Sequence, residues 1–140
     1  MVTGGTKGIG KAIALTLLNQ GLRVAVNYFE DEEAAARMKV ECAGFEDRVI
    51  VLRGDVSNWE NVESMFDEAY ARFERIDILI NNAGINIDRS FLKISNEDWN
   101  RVLAVNLTGP FNCCRMAVPK MEPSGAAASR RWKIEDPASK

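Results

Sequence analysis

Thr3-Gly4-Gly5-Thr6-Lys7-Gly8-Ile9-Gly10 decides how this chain folds. Met1-Val2-Thr3, the stub of a strand, runs straight into its glycines. Behind it Ile9, Ile13 and Leu17 recur every four residues, predicting a helix over 8–20 that Gly21 can close. A glycine turn that carries a strand into a helix sets backbone N–H groups at the positive end of the helix dipole, where phosphate oxygens bind. Glycine is required because a Cβ would hold a pyrophosphate away from the backbone. The overlapping run Gly5-Thr6-Lys7-Gly8-Ile9-Gly10-Lys11-Ala12 nearly spells a nucleotide-hydrolase phosphate loop. That loop must end in a hydroxyl for Mg²⁺, and Ala12 has none. Dinucleotide binding is the stronger reading; a tight strand–helix turn without ligand is the bland one.

Outward from the turn, short apolar runs alternate with helical stretches, the pattern of an α/β protein with a parallel sheet. Strands are expected at 23–27, 48–53 and 76–80, the last broken by Asn81-Asn82-Ala83-Gly84. One helix opens on Glu30, Asp31, Glu32 and Glu33, carries Arg37 and Lys39 later, and meets Gly44 near its end, an order that suits the dipole. Another opens on Ser57-Asn58-Trp59-Glu60, which reads as a capping box, with Val62, Phe66, Ala69 and Phe73 as its apolar stripe. From Ser95 to about 121 the chain reads as helical, starting at Ser95-Asn96-Glu97-Asp98, with Trp99, Val102 and Leu103 inward and Gly109-Pro110 kinking or dividing it. Residues 122–140 have no period and many breakers, and read as a disordered tail behind a single unit at 1–121.

Composition sets the bounds. A chain of 140 residues, 46% hydrophobic and 27% charged, is one ordinary soluble domain and not a disordered one. Eighteen basic against twenty acidic residues, net −2, leave no electrostatic footprint for nucleic acid or an anionic membrane. No apolar run reaches the ~20 residues of a membrane span. With no histidine, Ser-His-Asp and Cys-His catalysis and His-ligated zinc are excluded. Cys42, Cys113 and Cys114 form neither a disulfide framework nor a CxxC pair, so the compartment reads as reducing and cytoplasmic. The acids at 30–33 and 97–98 fit first helical turns, and no metal site is expected.

Four motifs in sequence order resemble a short-chain dehydrogenase/reductase: Thr-Gly-x-x-x-Gly-Ile-Gly at 3–10, Asp55-Val56, Asn81-Asn82-Ala83-Gly84, and Asn106 in Val-Asn-Leu-Thr-Gly. Val26-Asn27-Tyr28, the stretch 87–93 and Glu97-Asp98-Trp99 are similar to bacterial 3-oxoacyl-[acyl-carrier-protein] reductases and to acetoacetyl-CoA reductases. The resemblance covers residues 1 to about 121. It implies a Rossmann-type doubly wound parallel sheet in the order 3-2-1-4, with later strands missing. It implies an NAD(P)-dependent oxidoreductase acting on 3-oxoacyl thioesters and working as a homo-oligomer. By the same resemblance Gly4, Gly5, Thr6, Lys7, Gly8, Ile9 and Gly10 cradle the pyrophosphate and adenosine ribose. Asp55 and Val56 meet the adenine; Asn82, Ala83 and Gly84 let the backbone pass beside the cofactor; Asn106 is the surviving catalytic position.

An NAD site places an acid after the second strand to hold the ribose hydroxyls, and that acid repels a 2′-phosphate. Here Asn27-Tyr28-Phe29 follow, with no acid until Glu30, and Lys7 sets a cation near the same ribose. NADP(H) is therefore favoured over NAD(H). The family's reductases also use a Tyr with a Lys four residues on, one helix face apart, so that the ammonium can depress the phenol pKa. Here Tyr28 is followed by Glu32 and Tyr70 by Glu74, so the chain alone is expected to be inactive. Both ends read as cut, by an internal start and by a frame slip or early stop near codon 122, and an open sheet edge is expected to favour aggregation. The alternative is a non-catalytic nucleotide-binding or interaction module that uses its last long helix as a partner surface.

Overall fold

Alternation along Val24-Ala25-Val26 sends successive side chains to opposite faces of a strand, and both faces are covered. The computed structural model describes residues 1–121; the expected tail at 122–140 lies outside the described residues. Strands β1 (Val24–Tyr28) and β2 (Val49–Arg53) pair in parallel, from Val24 against Val49 to Tyr28 against Arg53. Val24 and Val26 pack with Ala14, Leu18, Met38 and Cys42, beneath α1 (Gly8–Asn19) and α2 (Glu32–Glu41). Ala25 and Leu52 face the other way, onto Phe66, Met65 and Cys113 of α3 (Trp59–Phe73) and α5 (Gly109–Ala117). Helices on both faces of a parallel sheet are the doubly wound arrangement that the alternation predicts.

Two of the four expected strands are reduced to single bridges. Val2 makes one parallel bridge to Val26 and another to Ile80. It donates to the Ala25 carbonyl at 2.9 Å and accepts from Asn27 at 2.9 Å, while Thr3 donates to Ile80 at 3.0 Å.

Helix ends explain other departures. Gly21, at φ +86°, closes α1 as expected, its amide reaching the Leu18 carbonyl at 3.0 Å. The buried side of α1 is Gly10, Ala14 and Leu18, and Ile9 is 76% exposed, because Gly10 has to seat against Gly4 and Asn82. The cap of α3 is Asn58, whose Oδ1 accepts from the Asn61 amide at 2.8 Å; the hydroxyl of Ser57 is given to Asp55 instead. The capping box at Ser95 and Asp98 is present on α4 (Asn96–Leu103). A π-helical turn, Ala104–Thr108, then separates α4 from α5. Gly109 permits the close approach that follows, since a Cβ there would lie 2.7 Å from Val56 Cγ2. The expected inner face of α4 is only partly covered: Trp99 is 57% exposed, Val102 and Leu103 are half-buried, and no residue of α4 is in the core.

All three cysteines are free. Cys42 and Cys113 are buried, and burial pushes the Cys113 thiol up to about 12. Cys114 is exposed, its Sγ 3.3 Å from Asn81 Nδ2. No helix among the described residues is long and apolar enough to cross a membrane.

Phe66, on the inner face of α3, packs in the cluster with Ala25 and Leu52 of the sheet and has no exposed surface. Phe66→Ala is expected to cost about 3–5 kcal/mol in denaturant unfolding, and Ile9→Ala less than about 0.5 kcal/mol. Equal midpoints for the two variants contradict this assignment of the core.

Candidate functional site

Three turns meet at the carboxyl ends of the strands, and side-chain amides stitch them together. Gly4 adopts φ +59°, where a Cβ carries strain, and its amide donates to Asn27 Oδ1 at 3.2 Å. Asn82 Nδ2 donates to the Thr3 carbonyl at 2.9 Å and to the Gly4 carbonyl at 3.0 Å. The Thr3 hydroxyl accepts from the amides of Asn82 and Ala83, each at 3.0 Å. Asn27 is buried within β1, and its Nδ2 donates to the Gly54 carbonyl at 2.9 Å, joining the end of β2 to the glycine turn. A Cβ on Gly10 would collide with the Gly4 carbonyl and with Asn82, and one on Gly5 would lie 2.8 Å from Val26 Cγ1.

A cleft of about 220 Å³ opens beside these turns. Its walls include Gly4, Thr6, Lys7, Asp31, Asp55, Val56, Ala83, Gly84 and Arg101. Two ion pairs border it. Lys7 Nζ lies 2.9 Å from Asp31 Oδ2, and Asp31 Oδ1 caps α2 by accepting from the Ala34 amide at 2.9 Å. The Ala34 amide and then Lys7 hold the Asp31 carboxyl below its ordinary range. Asp55 Oδ2 accepts from Arg101 Nη1 at 3.0 Å, and Oδ1 accepts from the Ser57 hydroxyl at 2.7 Å and the Ser57 amide at 2.9 Å. Burial pushes the Asp55 carboxyl up, but the Ser57 bonds and Arg101 outweigh it and hold the group below its ordinary 3.8. Arg101 also lies over the Phe29 ring, 5.9 Å from its centroid. A larger cleft, about 300 Å³, lies at the opposite end of the strands against Met1, Arg23, Phe73 and Asp77, and includes none of the expected site residues.

The expected residues divide by position. Gly4, Thr6, Lys7, Asp55, Val56, Ala83 and Gly84 line the cleft. Gly5, Gly10 and Asn82 lie behind it and hold the turn, while Gly8 (φ +55°) and Ile9 are exposed at the start of α1. Asn106 stands in the π-helical turn, where Oδ1 accepts from the Ile85 amide at 2.9 Å and Nδ2 donates to the Ile85 carbonyl at 2.8 Å. Its amide therefore fixes the loop after Gly84 and borders a neighbouring cleft with Ile85, Ile94 and Trp99. Sequence reasoning missed Asn27, Asp31 and Arg101. A polar residue inside an apolar strand signals a buried hydrogen-bond hub, and an Asp just before Glu-Glu signals a helix cap. No sequence signal connects Arg101 to Asp55.

The cleft lies where doubly wound sheets bind ligands, outside the carboxyl ends of the strands. The short chain dehydrogenase family model matches residues 1–129, past the expected limit near 121. This chain belongs to the short-chain dehydrogenase family. A 3-oxoacyl-[acyl-carrier-protein] reductase of Synechocystis is 40% identical over 121 residues, covering 86% of this chain and 49% of that protein. The corresponding reductase of Staphylococcus aureus is 36% identical over the same length. A Brucella melitensis short-chain dehydrogenase structure superposes with a TM-score of 0.81 at 30% identity, over 86% of this chain and 51% of that one. A blue fluorescent protein from a metagenomic library, solved with NADPH, gives 0.80 at 27% identity, over 87% of this chain and 50% of that one. The short-chain dehydrogenase chain described here spans about half the length of the curated relatives it matches.

Because the folded Asp55 pKa lies below the unfolded value, its contribution to stability is complete above about pH 4 and disappears as pH falls through the lower folded value. The stability difference between the unmodified chain and Asp55→Asn should hold from pH 7 to about pH 4 and close below it. A pH-independent difference between the two contradicts the charged pairing.

Proposed function

We propose that residues 1–121 hold a nicotinamide dinucleotide, NADP(H) in preference to NAD(H), as the cofactor-binding half of an oxidoreductase that reduces 3-oxoacyl thioesters of acyl-carrier protein or CoA. The observation that carries this reading is the left-handed Gly4 turn beneath the amino end of α1, opening onto a cleft with Lys7 on one side and Asp55 on the other. Gly5 and Gly10, closed to a Cβ by the protein's own packing, fix the turn, and Gly8, with open space where a Cβ would stand, leaves the backbone approachable by phosphates. The dinucleotide, once bound, supplies or accepts a hydride. Lys7 offers the cation for a 2′-phosphate. Asp55, kept ionised, offers acceptors for an exocyclic amine. Asn106 acts as a positioning residue that fixes the Ile85 backbone. Exposed Leu107, Phe111 and Val118 support self-association of the kind named for the family.

The chain carries no Tyr-x-x-x-Lys. The Tyr28 hydroxyl donates to Glu32 at 2.7 Å, and that bond raises the phenol pKa, the opposite of what a proton donor at neutral pH needs. The 140-residue chain should therefore not reduce acetoacetyl-CoA above background. Fusing residues 1–121 to the second half of an active reductase should give NADPH-dependent turnover, lost in that half's Tyr→Phe variant. Steady NADPH consumption by the chain alone, abolished by Asn106→Ala, contradicts this division of labour.

Binding is tested by equilibrium titration. NADP should bind about tenfold tighter than NAD, the lower end of what a charge-assisted hydrogen bond supplies. Lys7→Ala should bring the two affinities together. Equal binding of both by the unmodified chain overturns the stated preference.

A further inference from the structure

We infer that Asp31 is a specificity-determining residue which, by holding Lys7, limits the preference of this cleft for NADP over NAD. The inference rests on the dinucleotide reading above and deepens it.

Discrimination between the two cofactors falls on groups beside the adenosine ribose, after the strand that follows the glycine helix. That strand is β1, and it ends in Tyr28 and Phe29 with no carboxylate. The carboxylates begin at Glu30, which lines the cleft beside Asp31, and those that open α2 are engaged elsewhere. Glu32 accepts from Tyr28 and lies 3.4 Å from Arg53, while Glu33 pairs with Arg37 along the helix. Asp31 alone turns across the cleft wall to Lys7, at 2.9 Å. Its other oxygen takes the Ala34 amide at the start of α2.

One side chain thus occupies both features that would attract an added phosphate on this wall, the Lys7 ammonium and the Ala34 amide at the amino end of α2. A 2′-phosphate must share Lys7 with a carboxylate or displace it, and it meets a like charge either way. Ribose hydroxyls face no such penalty, because a carboxylate accepts hydrogen bonds from them. The side chains of Lys7 and Asp31 are 71% and 36% exposed, so the pair is open to solvent and a strong competing anion can break it. The preference the chain displays is then the pull of Lys7 less the opposition of Asp31.

The experiment measures dissociation constants of NADP and NAD, and of adenosine 2′,5′-bisphosphate and adenosine 5′-monophosphate. The proteins are the unmodified chain, Asp31→Asn, Asp31→Ser, Lys7→Ala and the Lys7→Ala/Asp31→Asn double variant. Asn and Ser still cap a helix, so α2 should persist, checked by circular dichroism and melting. Asp31→Asn and Asp31→Ser should each raise the NADP/NAD affinity ratio roughly tenfold, the size expected from removing one like charge at short range. The gain should be smaller in the Lys7→Ala background and should shrink at high salt. The bisphosphate and monophosphate should show the same change, locating it at the 2′-phosphate. An unchanged ratio in both Asp31 variants overturns the inference while leaving the dinucleotide reading intact. No binding of any of the four nucleotides by any folded variant overturns that reading instead.

Discussion

Gly4 is gripped from two sides. Its amide is taken by the Asn27 carboxamide and its carbonyl by the Asn82 carboxamide. Each of those side chains is anchored to a different part of the sheet, Asn27 in β1 and Asn82 just after the bridge at Ile80. The peptide at the base of the cleft therefore cannot move without disturbing both neighbours. Since Asn27 also holds the Gly54 carbonyl, the end of β2 joins the same network. The cleft inherits its shape from hydrogen bonds in its rear wall, made by groups that would be costly to leave unpaired there.

The front of the cleft obeys a different rule. Its charged side chains face one another: Lys7 with Asp31, and Arg101 with Asp55. The Asp55 pair is the better protected, its carboxylate mostly covered and supported by Ser57, whereas Lys7–Asp31 stands in water. The deep part of the site thus has a fixed charge arrangement, and the part near the start of α2 has one that a competing anion can rearrange.

Most of the fold was legible because apolar periodicity reports burial directly. The runs around Val24-Ala25-Val26 and Val49-Ile50-Val51-Leu52 became strands, and the stripe at Val62, Phe66, Ala69 and Phe73 became the inner face of α3. Reading failed where two adjacent residues could serve one purpose, or where the partner was remote. Ser57 and Asn58 are both capable caps, and the choice passed to Asn58 because Asp55 claimed the Ser57 hydroxyl. Trp99, Val102 and Leu103 have the spacing of an inner face, but spacing does not say which element covers it. In the site, the motifs named Thr3 and Asn82, but not that they bind each other across the sheet, and Asn27 within β1 was read only as part of a strand. Arg101 reaches Asp55 from 46 residues away, which no local pattern encodes.

The unequal burial of the three thiols has a practical consequence. Cys42 and Cys113 lie inside the two cores with their thiols pushed toward the protonated form, and Cys114 stands in the open beside Asn81. Alkylation depends on thiolate and access together, so a maleimide dye should attach once per folded chain, at Cys114. The label would sit next to the Asn81–Asn82 turn that braces Gly4. Fluorescence from a natural cysteine could then follow the rear wall of the cleft without any engineered reporter. Peptide mapping that found dye on Cys42 or Cys113 would measure how often the cores themselves come open.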